Sequence, residues 1–577
     1  MLEPAAEDKN SPALPRLQSP MQEVSHTILP TPWRSRSLRD AVVFLLGVVV
    51  FGIAYTQAPL YYSNQNQYFL HGLARAGRGF LHEDWLANTL DPTPVFSAGV
   101  ALTERYLHEY FFYAYFLLLL GLYFYSLIGI ADFIARGGRL AWWCLAVLLV
   151  GIHAGLARWA SVRLVGVDYP WYFQAGLAGQ YILGFGLQPS VFGVFLLASI
   201  HAFLRDRPRA AAAWASLGAV VHSTYLLGAA LLVASYMAIL FWERRPREAL
   251  ITGTLALLLV SPVVLFLLVV FAPSSAEEFA QAQWLLAHFR IPHHAVPARW
   301  FDGVAALQLA WLGAAVSLAW GTRLFPVLLI PSLLALLLTL VQLATGSNTL
   351  ALLFPWRISA VLIPAATAVV LGRLVGGLSP WLEARPPAER RVIGAACGTV
   401  LAAFAAGGLA INYLGLAYYT DPAELPLLEF ARQHKAAGQT YLLPVEVPRL
   451  GAGRRGSIST SFLPPLRRDT GHQLISVDLQ RFRLATGVPI YVDFKSIPYK
   501  DVEVLEWHRR LEWTQDIYKR LTADDPAVPS ELAGEGITHV VVPAKLAIRS
   551  GALELVHADE AYRVYRVHQP PGAGSRP

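Results

Sequence analysis

The sequence predicts a mostly α, polytopic membrane protein with about 11 transmembrane helices and a C-terminal extracytoplasmic α/β domain. Three observations carry this. The 577 residues are 55% hydrophobic and only 15% charged, with mean hydropathy +0.44. Soluble domains carry about 25% charged residues. Apolar runs long enough to cross a bilayer, about 20 residues each, recur through the first 415 positions. Beyond residue 415 the pattern changes to short apolar strands and amphipathic helices.

Residues 1–40, rich in Pro and Ser, read as a disordered cytoplasmic tail. The first apolar run follows too long a polar lead for a cleaved signal peptide and reads as a retained anchor. Within 41–415 the spans fall near 41–57, 110–134, 141–157, 190–204, 249–271, 303–320, 325–344, 357–378 and 392–415. The stretch 210–242 lies between the basic links "RDRPR" and "ERRPRE". It therefore goes up and returns as two short helices, turning near His222, which gives eleven spans.

Arginines concentrate in the short links at 136–139, 205–209, 243–248, 321–323 and 385–391. The positive-inside rule puts these links and the N-terminus in the cytoplasm. The long loops 58–108, 158–188 and 272–302, and residues 416–577, then lie outside. The expected location is a bacterial inner membrane with a periplasmic C-terminal domain. The net charge of +7 is spent in the links, so no nucleic-acid partner is expected; membrane lipids are. Cys144 and Cys397 both sit in apolar runs, which excludes a disulfide framework and disfavours a cysteine metal site.

In the last region "LPLLEFARQHKAAG" reads as a helix with a Gly stop. "TYLLPV", "GVPIYVDFK" and "GITHVVVP" read as strands, "VEVLEWHRRLEWTQDIYKRL" as a helix, and "LELVHADEAYRVYRV" as a closing hairpin. The two halves of the membrane region are not inverted copies of each other, which weighs against a secondary transporter.

Polar groups are costly in a membrane protein, so their gathering in the outer loops is informative. Loop 58–108 holds "NQNQYF" and then "HEDW", with Glu83 and Asp84 adjacent. Loop 158–188 holds Asp168. The 210–242 turn holds His222. Loop 272–302 holds Arg290, His293 and His294, and "FPWR" holds Arg357. Each has a plainer reading. Glu83 and Asp84 could cap a loop helix or pair with Arg75 or Arg78. His293 and His294 could be an interfacial pair, and they lack the i, i+4 spacing of a helical zinc site. His222 could satisfy backbone at a helix break. Arg357 could snorkel beside an aromatic belt. Asp91, before Pro92, reads as a turn residue. "VDFKSIPYKD" puts Asp493, Lys495, Tyr499 and Lys500 at a strand end, either a solvated turn or a binding loop.

A long first outer loop with an acidic pair, about eleven helices and a C-terminal outer α/β domain resemble the GT-C superfamily of membrane glycosyltransferases. "HEDWLANTLDPTPVFS", "LQPSVFG", "FRIPHH", "FPWRIS" and "GVPIYVDFKSIPYKDVEVLEW" are similar to a bacterial family of multi-pass membrane proteins of unassigned activity. The GT-C resemblance implies transfer of a sugar from a polyprenyl-phosphate-linked donor to an envelope acceptor. It maps the superfamily's acidic motif onto Glu83 and Asp84, with a second acidic residue at Asp168. The superfamily's motif often lies nearer the end of the first helix, where this chain has the amides "NQNQ".

An inverting transfer needs a general base and positive groups for the leaving phosphate. Asp84, ahead of Glu83, fits the base. Asp168, His222, Arg290, His293, His294, Arg357 and Lys495 fit substrate binding. No metal-ligand set is assigned, although a divalent cation bridging carboxylate and phosphate would suit the chemistry. The competing classes are a lipid-linked sugar or solute transporter and a non-catalytic envelope assembly protein. Only a transferase requires its carboxylates to face a cavity.

Overall fold

The computed structural model describes residues 33–62, 64–416, 422–445 and 477–568. Residues 1–32 of the expected tail lie outside these, and the first helix already begins at Trp33. Helix dominates. Among the described residues seven helices are long and apolar enough to cross a membrane: Leu38–Tyr55, Phe111–Ala135, Ser223–Trp242, Pro246–Val270, Leu324–Thr345, Asn348–Glu383 and Pro387–Tyr413. An eighth is the pair Arg139–His153 and Gly155–Val165, bent by 55°.

Helices do occupy every one of the eleven expected spans, but the count of eleven crossings is not established. Pro208–Val221 has 14 residues and Gly303–Leu318 has 16. At about 1.5 Å per residue they reach about 21–24 Å, short of a core of about 30 Å. The stretch 210–242 does break at His222, whose extended backbone separates Pro208–Val221 from Leu226–Trp242. The two helices pack against each other.

The basic links gather on one face. Arg245 and Arg323 both pair with Asp206, at 2.7 and 3.0 Å, and Arg323 also holds Glu243. Arg205 pairs with Asp40 at the start of the first helix. Links far apart in sequence are thus tied together at one end of the bundle.

The C-terminal region forms a small four-stranded sheet from β1 (Tyr441–Leu442), β2 (His539–Pro543), β3 (Leu553–Ala558) and β4 (Tyr562–Val567), in the order β1-β2-β4-β3. β1 runs parallel to β2, and β3–β4 is the expected antiparallel hairpin. Strand alternation sends Val540 and Val542 to one apolar cluster and Val541 to another. The helix Asp501–Thr522 covers the first cluster with Val504, Trp507, Leu511 and Tyr518, spaced three, four and seven residues apart as an amphipathic face requires. The helix at Leu425–Gln433 stops five residues before Gly438.

"GVPIYVDFK" departs from expectation. It is buried and extended but joins the sheet only through Ile490, opposite Tyr441. The Ile490 N–H goes to the Asp84 carboxylate, 3.0 Å away. A side chain from the first long loop has thus taken a donor that strand pairing would use.

The same loop docks the sheet region onto the membrane helices. Gly79 and Gly487 meet backbone to backbone: a Cβ on Gly79 would lie 2.4 Å from the Gly487 carbonyl. Both have positive φ, which also favours glycine there. The Phe80 N–H donates to that carbonyl at 2.8 Å. The amides Asn66 and Gln67 donate to Asp493 and to the Ile497 carbonyl, so "NQNQ" positions the 493–499 loop.

Candidate functional site

The acidic pair faces the C-terminal region. Asp84 is fully buried. Its Oδ1 accepts from Arg483 at 3.1 Å and from the Leu86 N–H at 3.0 Å, while Oδ2 accepts from the Ile490 N–H. Arg483, itself buried, also donates to Asp493 Oδ2 at 2.9 Å. Asp493 is filled further by Asn66 on Oδ2 and by the Ser496 N–H on Oδ1. Two carboxylates and one guanidinium therefore form a clamp with one carboxylate charge in excess, its oxygens filled by N–H donors. Glu83 lies nearer the surface and accepts from the Gly438 N–H at 2.7 Å. Asp91 accepts from the Thr93 N–H, the contact of a turn residue, and pairs with Arg75.

Asp168 is equally committed. Its Oδ2 accepts two bonds from Arg158, at 2.9 and 2.7 Å, and Oδ1 caps the Trp171 N–H. Both side chains are fully buried. Neither Asp84 nor Asp168 presents an open oxygen toward the groups described next.

Those groups are basic. The helix Ala276–Trp284 widens into a π turn at Leu285–Arg290 and ends on Arg290; such turns are common at functional sites. Arg290 is buried, donates to the Lys495 carbonyl at 2.6 Å and lies over the Phe494 ring. Its Nε has no hydrogen-bond partner. The half-buried Lys495 ammonium makes no hydrogen bond or ion pair among the described residues. Burial and the neighbouring Arg290 pull it down to about 7. The short helix Pro292–Ala295 follows, with the His293 and His294 rings 3.9 Å apart. Burial keeps both imidazoles neutral, His294 held down to about 3, and Arg290 and Lys495 push the same way. His294 Nδ1 donates to the Ala178 carbonyl, and His293 Nδ1 is buried without a partner.

Arg357 completes the group from the "FPWR" turn. It donates to Gln180 and to the Tyr225 hydroxyl and lies over the Tyr225 ring. A small cavity runs between Gln180, His294, Trp300, Trp356 and Arg357. Two of its lining residues, Ala178 and Phe354, have left-handed backbones with φ 55° and 49°. Non-glycine residues held there cost of order 1 kcal/mol each and cluster at functional sites. His222 sits at the fringe, edge-on to Tyr68 and Tyr225 at 5.8 and 5.6 Å. Tyr68, against Tyr499, lies within electrostatic reach of both Arg290 and Arg357, and so joins the two halves of the cluster.

Six of the seven expected binding residues therefore converge: His222, Arg290, His293, His294, Arg357 and Lys495. Asp168 stays in its pair with Arg158. Lys495 and Asp493 are not the solvated charges of a plain turn. Arg483 and Tyr68 had no signal in the sequence, being one Arg and one Tyr among many. None of the cations Arg290, Lys495 and Arg357 forms an ion pair with a carboxylate among the described residues. The donor set does not fit a divalent cation, because the nearby carboxylates are occupied by Arg483 and backbone N–H groups. It fits an anion.

Comparison with known proteins adds little. A domain of unknown function (DUF6798) matches residues 472–514, a small part of the chain that includes Arg483, Asp493 and Lys495. No curated protein matches. Among solved structures, the chain is similar to the crystal structure of ArnT from Cupriavidus metallidurans bound to undecaprenyl phosphate. Identity is 14%, coverage 94% of this chain and 100% of that one, and the TM-score 0.37. Nothing about this chain's ligand or reaction follows from so distant a likeness.

Proposed function

We propose that the protein is a membrane glycosyltransferase that takes a polyprenyl-phosphate-linked sugar and transfers the sugar to an envelope acceptor. The observation that carries this reading is the basic cluster: Arg290, Lys495 and Arg357 lie near His293 and His294, and none of the three forms an ion pair with a carboxylate among the described residues. Burying charge without a partner is expensive, and an anionic headgroup would offset that cost. The sequence resemblance to GT-C enzymes supplies the choice of a lipid phosphate.

In this reading Arg290 and Arg357 grip the phosphate, since guanidinium matches its geometry. Tyr68, Trp300 and Trp356 line the way to the sugar. As the acceptor hydroxyl gives up its proton to water and its oxygen bonds to the anomeric carbon, the bond from that carbon to the phosphate oxygen breaks, and its electron pair leaves on the phosphate. The same cations face that added charge. "HEDW" acts through position: Asp84 fixes Arg483, Asp493 and thereby the Lys495 loop. The face with the tied arginine links lies in the cytoplasm, and the pocket and C-terminal sheet lie outside.

Purified protein incubated with a panel of polyprenyl-phosphate sugars and envelope acceptors tests the activity. Transfer by the wild type, lost in Arg290→Gln and Arg357→Gln, is the expected result. Transfer unaffected by both substitutions would overturn the site. Reporter fusions at Gly137 and at the C-terminus are expected to report opposite sides of the membrane; the same side for both would overturn the orientation.

A further inference from the structure

Lys495 differs from the other cations of the pocket in that its charge is removable. Arginine stays protonated in proteins, whereas a lysine gives up its proton when buried among like charges. The groups facing Lys495 come from three elements. Arg290 comes from the π turn and hydrogen-bonds to the Lys495 carbonyl, which fixes a positive charge beside it. His293 and His294 come from the next helix, neutral and stacked. Asp493 shares its loop, but its oxygens already accept from Arg483, Asn66 and the Ser496 N–H. Tyr68 lies against Tyr499 and within electrostatic reach of Arg290 and Arg357. The ammonium thus has the fixed positive charge of Arg290 near it, offset in part by the Asp493 carboxylate, and makes no hydrogen bond or ion pair of its own among the described residues. An entering anion would supply both the acceptor and the opposite charge.

We infer that the pocket takes up its anion together with a proton, which Lys495 carries. The inference rests on the reading above that the pocket binds a lipid phosphate. In the empty protein Lys495 is about half neutral near pH 7. With an anion bound its proton is held to a higher pH. By linkage, affinity then falls by up to about tenfold per pH unit above about 7, until the bound-state pKa is reached. Such a site binds tightly where protons are plentiful and releases its anion as the surface turns alkaline.

The test uses a synthetic polyprenyl phosphohexose, whose phosphodiester keeps a single negative charge across the range studied. Its Kd is measured by titration calorimetry from about pH 6.5 to about pH 8.5, in two buffers of different ionisation enthalpy. Wild type, Lys495→Arg and Lys495→Met are compared, each first shown to be folded by its thermal melt. The wild type is expected to weaken toward alkaline pH and to take up a fraction of a proton that grows with pH. Lys495→Arg is expected to bind with no pH slope and no proton uptake, because its charge is permanent. Lys495→Met is expected to bind more weakly and without slope. A flat wild-type profile, or the same slope in Lys495→Arg, would overturn the proton linkage and leave the phosphate site standing. No binding by any form at any pH would overturn the phosphate site and the linkage with it.

Discussion

Two charged regions lie close together in this molecule and are built in opposite ways. In the clamp, Asp84 and Asp493 share Arg483, and their remaining capacity is filled by N–H donors. In the pocket, Arg290, Lys495 and Arg357 have carbonyl, amide and phenol neighbours but no carboxylate partner among the described residues. A buried network whose oxygens are all filled holds a fold together, and removing one partner strands the rest. Buried cations without an ion-paired carboxylate weaken the fold, and we propose that these are kept for an anion. Asp84, which looked most like catalysis in the sequence, belongs to the first kind. The scattered basic residues belong to the second.

Substitutions in the two regions should therefore move stability in opposite directions. The largest effect is expected at Asp84. Asp84→Asn leaves Arg483 half-paired and weakens the acceptor for the Ile490 N–H, at a cost of about 3 kcal/mol. Thermal melts should register this, with proteolysis appearing first in the C-terminal region. Near-wild-type stability with a rate loss of about 10²–10⁴ would instead make Asp84 a general base and collapse the distinction between the regions.

Next comes Lys495→Met, which removes a charge from a like-charged neighbourhood. It should stabilise the empty protein by roughly 1–2 kcal/mol, allowing for the screening of a half-buried group, while weakening lipid-phosphate binding. Loss of both stability and binding would show Lys495 to be structural.

A smaller and continuous effect is expected from pH. Lys495 has its folded pKa lowered to about 7, against about 10.4 unfolded. Between those values the unfolded chain binds more protons, so this group makes stability rise with pH across that window. His294 is held down to about 3, against about 6.5 unfolded. Its contribution to stability is therefore lost as pH falls from about 6.5 to about 3. Melts of wild type and Lys495→Met from about pH 6 to about 9 should diverge most at the acid end. The smallest effect is expected for Glu83→Gln: a partly exposed bond to the Gly438 N–H costs about 1 kcal/mol or less, and transfer activity should persist.

Much of this was legible in the sequence, and the failures have physical causes. The apolar runs and basic links marked the membrane helices because hydropathy and arginine placement are local properties. They leave the number of crossings open, since a 14-residue helix reads as apolar whether or not it reaches across the bilayer. The basic residues of the cluster were legible because charged groups are costly in a membrane protein and these stand together in a few links between apolar runs. The role of Asp84 was not: its partner Arg483 lies 399 positions away, and nothing local distinguishes a clamped carboxylate from a free one. The Asp168–Arg158 pair spans only ten residues, yet Asp168 was read through the family resemblance and not through its neighbour. "GVPIYVDFK" looked like a strand because it is buried and apolar; it meets β1 at a single bridge, and on its other side the Ile490 N–H goes to Asp84, from another part of the chain.

We propose that the cations Arg290, Lys495 and Arg357, and not Asp84, form the ligand site. Equilibrium binding of a polyprenyl phosphate to wild type, to the double variant Arg290→Gln/Arg357→Gln and to the folded fraction of Asp84→Asn, at one fixed pH, tests it most directly. Binding by the wild type is expected, with about a hundredfold or greater loss in the double variant from two charge-assisted contacts and little change in Asp84→Asn. Unchanged affinity in the double variant, with affinity lost in Asp84→Asn, would contradict it.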